Sequence, residues 1–397
     1  MALSGLSLIQ QRLALAVACT IPGAFVRMSG GAAPYPMQFL AYGAAVIAAA
    51  FMLAWACEAA QVDIGNGLVV AAVAFVAILP EYIVEVNFAV RGSAEYVTAN
   101  LTGASRLLLG FCVAMPAIAS LLPKRMRPER LDSLGLAPSH RVDLAVLGLA
   151  ALWSLRCVVG SDVTLLDSAV LISLYVLYLR LASRTETEAA PMVGVAASLA
   201  ALPKEQRRRW VGGLMLYSAL VILLTAVPFG DAVLGTGALV GISPYLLLQW
   251  LVPLATETPE LVVAFVLLTH GRGHQSAAVL IAGAVSQYTL ALGTLPIAFH
   301  AGKGTGALPL QAREQIELFL TVTVAIYAVA ALVKLRLSRA DAMIMLVLFM
   351  AQFLLPTVFT RGVIAIIFGT LAIDILMSER DLLRPLLRSL RLADRGG

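Results

Sequence analysis

The chain has 397 residues, of which 60% are hydrophobic and only 13% are charged. Soluble domains carry about a quarter charged residues, so this composition excludes a soluble globular protein and indicates a polytopic membrane protein. The formal net charge of +5 does not indicate nucleic-acid binding, because the basic residues lie in short segments between apolar runs. The four cysteines lie within apolar runs without metal-type spacing, so we expect no disulfides.

Apolar runs of about 20 residues are long enough to cross a bilayer as helices. Twelve predicted spans follow one another along the chain. They cover residues 8–27, 37–60, 64–90, 97–122, 142–160, 163–181, 211–229, 240–269, 275–300, 314–335, 341–356 and 358–377. The last two belong to one run that is too long for a single helix, and Pro356 with the Arg361-Gly362 pair predicts the break.

The loops between the spans predict the orientation. Loops after spans four, six and ten, and the C-terminal tail, are rich in basic residues, for example Lys124, Arg207, Lys334 and Arg384. The opposite loops are poor in them; we count Arg361 among the few they hold. Positive charge accumulates on the cytoplasmic side, so we expect both termini in the cytoplasm and an integral protein of the bacterial inner membrane.

Two acidic motifs stand 179 residues apart, each deep inside an apolar run: Pro80-Glu81, followed by Glu85, and Glu257-Thr258-Pro259-Glu260. A carboxylate at bilayer depth is costly, so such residues are usually functional. Proline removes a backbone hydrogen bond and leaves a carbonyl oxygen available beside the glutamate. Carboxylate and carbonyl oxygens are the ligands of Ca²⁺ and similar hard cations. The motifs therefore predict a cation site.

The two motifs belong to an internal repeat. Gly103 and Pro116 in the first half correspond to Gly283 and Pro296 in the second, at an offset of 180 residues. In the predicted topology the third span runs outward and its counterpart, the eighth, runs inward. Inverted repeats of this kind place a pseudo-two-fold axis in the membrane plane, so we expect the two Pro-Glu motifs to meet near the midplane.

At these residues the chain resembles the cation/calcium exchanger superfamily, which includes sodium/calcium and proton/calcium exchangers. Residues 241–262 resemble the family's Gly-Thr-Ser-x-Pro-Glu repeat closely; residues 62–85 with 99–103 resemble it more loosely. The resemblance implies an all-α polytopic membrane protein of about twelve transmembrane helices. These form an inverted repeat of two five-helix halves with one extra helix at each end.

The resemblance also implies the domain bounds. The repeat halves are expected at residues 37–182 and 211–356, joined by a cytoplasmic linker at 183–210. The extra helices are expected in residues 1–36 and 357–397, the latter with a basic tail.

Departures from the family pattern imply a remodelled ion site. Ala77 and Ile78 replace the Thr-Ser pair of repeat one, Glu257 replaces Ser in repeat two, and Arg106 stands where the family has neutral oxygen ligands. The expected ion-binding residues are Glu81, Glu85, Asn100, Thr256, Glu257, Glu260, Ser286 and Gln287, with Glu81 and Glu260 as the metal ligands.

Several of these residues have an alternative role. Glu85 lies one helical turn from Glu81 and could line the same cavity or face the outer vestibule. Arg106 could pair with Glu81 or Glu85, or extend its head group to the membrane surface. Asn100 and the hydroxyls could instead bridge helices. His270 and His274 have a metal-like spacing, but the Gly-Arg-Gly sequence between them predicts a surface loop.

The leading hypothesis is a secondary cation antiporter that exchanges Ca²⁺ or a monovalent cation against Na⁺ or H⁺ by alternating access. Its ligands are then the transported cations, its surroundings the lipid bilayer, and no cofactor is expected. The alternative is a transport-deficient or structural membrane protein on the exchanger scaffold, which Ala77 and Ile78 favour. An intramembrane enzyme is not expected, because the four histidines lie near span ends.

Overall fold

The computed structural model describes residues 7–63, 79–122, 134–183, 192 and 194–390. Up to the middle of the chain the helices are α1 (Ser7–Met28), α2 (Tyr35–Ala60), α3 (Leu79–Arg91), α4 (Ala94–Leu121), α5 (Arg141–Gly160), α6 (Leu165–Ala182) and α7 (Gly194–Ala200). They continue as α8 (Lys204–Val240), α9 (Pro244–Thr256), α10 (Thr258–Thr269), α11 (Gly273–Ser286), α12 (Leu292–Lys303), α13 (Ala312–Leu332), α14 (Arg339–Leu354), α15 (Val358–Ser378) and α16 (Arg380–Arg388). A π-helical segment, Gln287–Ala291, joins α11 to α12.

The protein is an all-α polytopic membrane protein, as predicted. Among the described residues, eight helices are long and apolar enough to cross a membrane, or nine if the broken pair α9 and α10 counts as one span. Every predicted span coincides with one or two helices. The third does so through its described part, α3, the eighth through α9 and α10, and the ninth through α11 and α12. The number twelve stays a prediction, because α1, α3 and α14 are not among these eight or nine.

Two helix boundaries differ from the prediction. Arg361 and Gly362 do not break the last run: both lie inside α15, and Arg361 is buried rather than exposed in a loop. The break falls at residues 355–357, where Pro356 cannot continue α14. The helix of the seventh predicted span, α8, is also longer than that span, because it begins at Lys204 within the predicted linker of residues 183–210.

Contacts divide the chain into two compact units. The first comprises the described parts of residues 1–87 and 188–259. Here α2 packs against α8 in antiparallel orientation. At one end Arg207 donates to the Asp63 carboxylate, with an Nη2–Oδ1 distance of 2.7 Å. At the other end the Tyr35 ring lies against Gly235 so closely that a side chain at this glycine would overlap it.

The second unit comprises the described parts of residues 88–187 and 260–397. Its α5 and α13 also pack against each other. Two short ladders join their ends: β1 (Leu134–Gly135) pairs with β4 (Arg336–Leu337), and β2 (Asp162–Thr164) pairs with β3 (Ala307–Pro309). Because β1 precedes α5 and β4 follows α13, the two helices are antiparallel. In each unit, therefore, counterpart helices of the two repeats run in opposite directions, as an inverted repeat requires.

The core of the second unit positions its charged residues. Helix α13 contacts α4, α5 and α15, and α14 contacts α4. Most of α13 and α4 is buried, including polar positions at which a soluble core would have apolar side chains. A phenylalanine–glycine contact between Phe349 and Gly110 brings α14 against α4. The packing of these helices therefore brings their buried charged side chains close to one another inside the unit.

Candidate functional site

In the first unit, the glutamates of the first motif lie on α3. Glu81 is 4% exposed and Glu85 is fully buried. Both are in one helix four residues apart, so their side chains leave the helix on the same face. Two carboxylates on one face inside a membrane-spanning element would repel each other without a compensating positive charge or hydrogen-bond donor.

The second motif lies at a helix break. Helix α9 ends at Thr256, α10 begins at Thr258, and Glu257 stands between them. The Glu257 N–H still donates to the Pro253 carbonyl at 2.8 Å, and the Thr256 hydroxyl donates to the Val252 carbonyl at 3.1 Å. Thr256 and Glu257 are buried. The helix is thus interrupted at this motif, within the eighth predicted span. Broken helices of this kind hold ions in transporters.

In the second unit, the other candidate residues lie on α4, α10 and the α11–α12 helix. Glu260 is half-buried on α10, and Asn100 is fully buried on α4. Ser286 ends α11, and Gln287 is the first residue of the π-helical segment. Such segments widen a helix locally and often mark functional sites. The Tyr288 hydroxyl fixes this one by donating to the Thr321 carbonyl on α13 at 2.6 Å.

Arg106 is held inside the second unit by groups on three helices. Its exposed fraction is 0%. Nε donates to the Thr102 carbonyl at 2.9 Å, Nη1 donates to Gln352 Oε1 at 3.0 Å, and Nη2 lies 2.8 Å from Glu317 Oε2. This geometry excludes the alternative in which the guanidinium reaches the membrane surface. Its pairing with Glu81 or Glu85 stays a prediction.

Glu317 is shared by a second arginine. Its other carboxylate oxygen pairs with Arg361, and both side chains are about 1% exposed. Arg106 on α4, Glu317 on α13, Arg361 on α15 and Gln352 on α14 thus form one buried group, which we call the arginine cluster. Burying a charge costs free energy, and a carboxylate between two guanidiniums lowers the cost of burying both arginines.

Sequence reasoning missed three members of the arginine cluster: Glu317, Gln352 and Arg361. Signals for them existed. Glu317 follows Glu314 by three residues inside an apolar span, and Arg361 lies within the limits of the last span. Charged residues near span ends usually lie at the membrane surface, so their positions alone did not indicate a buried ion pair.

The candidate ligands comprise carboxylates, amides and hydroxyls. Among the described residues, no group of three or more His, Cys, Asp or Glu side chains is placed to hold a metal ion. His270 and His274 are exposed, as the surface-loop interpretation expects. Ala77 and Ile78 lie outside the described residues. The meeting of Glu81 with Glu260, and the ligand roles of the other candidates, stay predictions.

The fold and the buried acidic motifs define a polytopic membrane protein built as an inverted repeat. The sequence profile of the family described as sodium/calcium exchanger protein matches residues 35–184 and 210–358. The chain therefore belongs to the sodium/calcium exchanger family. No protein of curated function matches it in sequence.

Several solved structures share its fold. The crystal structure of an H⁺/Ca²⁺ exchanger, CAX, is 32% identical in sequence, with a TM-score of 0.90 over 97% of this chain and 98% of that one. YfkE is 14% identical with a TM-score of 0.61, over 89% of this chain and 99% of that chain. The sodium-calcium exchanger NCX_Mj is 17% identical with a TM-score of 0.53, over 87% of this chain and all of that chain. At such identities the last two show the fold alone.

Proposed function

We propose that the protein is a secondary antiporter that moves Ca²⁺ or a similar cation across the membrane against H⁺ by alternating access. The observation that carries the proposal is the repeated Pro-Glu motif, whose glutamates lie buried or half-buried in membrane helices of an exchanger-family protein. Buried carboxylates retained at this cost are expected to bind the transported ion.

The chemistry of antiport follows from competition for the same carboxylates. A divalent cation neutralises two carboxylates and draws on nearby hydroxyl, amide and carbonyl oxygens, such as those of Thr256, Asn100 and Gln287. Protons neutralise the same carboxylates one at a time. A protein that changes its accessible side only when these charges are neutralised will exchange one kind of ion for the other. Glu81 and Glu260 are the proposed metal ligands.

The arginine cluster supports H⁺ rather than several Na⁺ as the counter-ion. Arg106 lies in the region where the family pattern has neutral oxygen ligands, and a guanidinium stays charged and cannot coordinate a cation. We infer that it takes the place of one transported cation as a fixed positive charge. Fewer cations then bind in each cycle. The identity to the H⁺/Ca²⁺ exchanger points the same way.

A carboxylate that faces a guanidinium keeps its negative charge more strongly than one that does not. The proton carrier is therefore expected away from Arg106, and Glu257 and Glu260 are the proposed carriers. Glu257 lies at the helix break, where the backbone is already interrupted. Glu260 is only half-buried.

The test is Ca²⁺ uptake by liposomes that contain the purified protein and carry a pH gradient in Na⁺-free buffer. We expect Ca²⁺ to enter as protons leave, and the reverse gradient to drive the reverse exchange. Uptake that requires an Na⁺ gradient and ignores the pH gradient would overturn the choice of counter-ion. No uptake under either gradient, from correctly folded protein, would favour the transport-deficient scaffold instead.

A further inference from the structure

The last helix, α16, has two different faces. It begins at Arg380, two residues after the membrane-spanning α15 ends at Ser378. Arg380, Arg384 and Arg388 recur every four residues, so at 3.6 residues per turn they form one stripe about 80° wide. Four leucines, with Asp381 and Pro385, occupy the remainder of the helix surface. An arginine stripe beside leucines is typical of a helix that lies in a membrane interface.

The position of α16 is fixed by contacts at its start and along its buried face. Glu379, between α15 and α16, pairs with Lys334 at 2.7 Å, and Lys334 lies two residues beyond the end of α13. Helix α16 contacts α5 and α15, and Leu386 is buried against the bundle. Three elements therefore hold α16 at the membrane face where α13 and α15 end.

The arginine stripe is left exposed by this placement. Arg380, Arg384 and Arg388 are all exposed, and within the described part of the chain none of them takes part in a salt bridge. Leu387, which lies beside the stripe, is 54% exposed. Asp381 is the single acidic residue of the helix. A positively charged row next to an exposed leucine, at the end of a membrane span, matches a surface of phosphates above acyl chains.

We propose that this face of α16 binds the head groups of anionic phospholipids in the adjacent leaflet. The guanidiniums of the stripe donate to lipid phosphates, for which their forked geometry is suited. Leu387 enters the acyl region beneath them. The helix starts within two residues of a span, so the partner at its open face is the bilayer surface itself. A soluble protein would have to displace lipid to reach this face.

The experiment is a lipid titration of the full-length protein in a neutral detergent, with the melting temperature as the readout. Phosphatidylglycerol should raise the melting temperature at lower concentration than phosphatidylcholine does. Each basic residue near an anionic surface strengthens binding about fivefold, so Arg380→Gln, Arg384→Gln and Arg388→Gln together should weaken phosphatidylglycerol binding roughly a hundredfold. High salt should also weaken phosphatidylglycerol binding by the wild-type protein.

The matched control removes three exposed arginines elsewhere: Arg27→Gln, Arg209→Gln and Arg272→Gln. This variant should keep most of the preference for phosphatidylglycerol. Equal losses in the two triple variants would overturn the proposal, because total charge rather than the α16 stripe would then bind the lipid. A melting shift that inorganic phosphate reproduces at the same concentration would also overturn it, since a free anion would suffice.

A second measurement does not depend on removing charge. Leu387→Trp keeps the three arginines and adds an indole at the proposed point of insertion. In vesicles, brominated phosphatidylglycerol should quench the added fluorescence more than brominated phosphatidylcholine does. Quenching equal to that of the wild-type tryptophans, with no difference between the lipids, would contradict the proposed contact.

Discussion

Replacing Glu317 by glutamine tests the arginine cluster. The wild-type carboxylate lies 2.8 Å from Arg106 with one oxygen and pairs with Arg361 through the other, and it is 1% exposed. The amide keeps the shape of the side chain but removes the negative charge opposite both guanidiniums. Breaking a buried ion pair from one side costs about 3–5 kcal/mol. Because two arginines share this carboxylate, we expect a loss near the upper end of that range.

The assay is thermal unfolding of the purified protein in one detergent, and a loss of this size should lower the melting temperature by roughly 5–15 °C. Arg361→Gln alone should also destabilise the protein, yet the double variant should cost less than the sum of the two, by about 0.5–3 kcal/mol. Glu95→Gln, an exposed carboxylate at the start of α4, is the control and should change stability by less than about 0.5 kcal/mol. A Glu317→Gln protein that melts like Glu95→Gln would refute the account of the cluster.

Two further predictions concern packing and pH. Gly302→Ala should destabilise the protein by about 1–3 kcal/mol, because the added methyl group would overlap the Val90 carbonyl oxygen. Gly212→Ala, whose methyl group would meet open space inside a helix, should be neutral or stabilising by up to about 1 kcal/mol in the same melting assay. The hydrogen bond from Arg207 holds the pKa of Asp63 below its ordinary value of 3.8, so the charged form stabilises the fold above that pH. The stability difference between wild type and Asp63→Asn should therefore be constant near neutral pH and shrink as the pH falls below about 4; a difference that grows in acid would contradict the assigned pair.

Much of the fold could be predicted from the sequence, because membrane helices are specified by local properties. Apolar runs of sufficient length mark the spans, and both repeat halves carry the same proline and glutamate at a nearly constant offset. The break at Glu257 follows from Pro253 and Pro259, which interrupt the backbone hydrogen bonds on either side. These features depend on neighbours within a few residues, so no tertiary information is needed.

The arginine cluster could not be predicted in this way. Arg106 and Arg361 are 255 residues apart in sequence, and only the packing of α13 against both α4 and α15 brings their guanidiniums to one carboxylate. The sequence shows which residues are charged but not which of them are in contact. The sequence also predicts that Arg361 lies in a loop, whereas α15 continues through it.

The early start of α8 has a local cause that the hydropathy pattern hides. Residues 204–209 are polar and charged, so they fall outside any apolar run, yet lysine, glutamate, glutamine and arginine are good helix formers. Arg207 also donates from Nη1 to the carbonyls of Ala200 and Leu202, at 3.0 and 2.8 Å, and so fixes the chain between α7 and α8. A polar helix start is consequently stabilised before the membrane span begins.

The most direct test of the central claim is exchange by Glu81→Gln and Glu260→Gln in liposomes with an outward proton gradient and no Na⁺. Glutamine keeps shape and hydrogen bonding but removes the charge that the cation neutralises. We expect each variant, folded and inserted like the wild type, to lose proton-driven Ca²⁺ uptake, while Glu95→Gln exchanges at the wild-type rate. Exchange at the wild-type rate in either glutamine variant would contradict the claim that these two glutamates bind the transported cation.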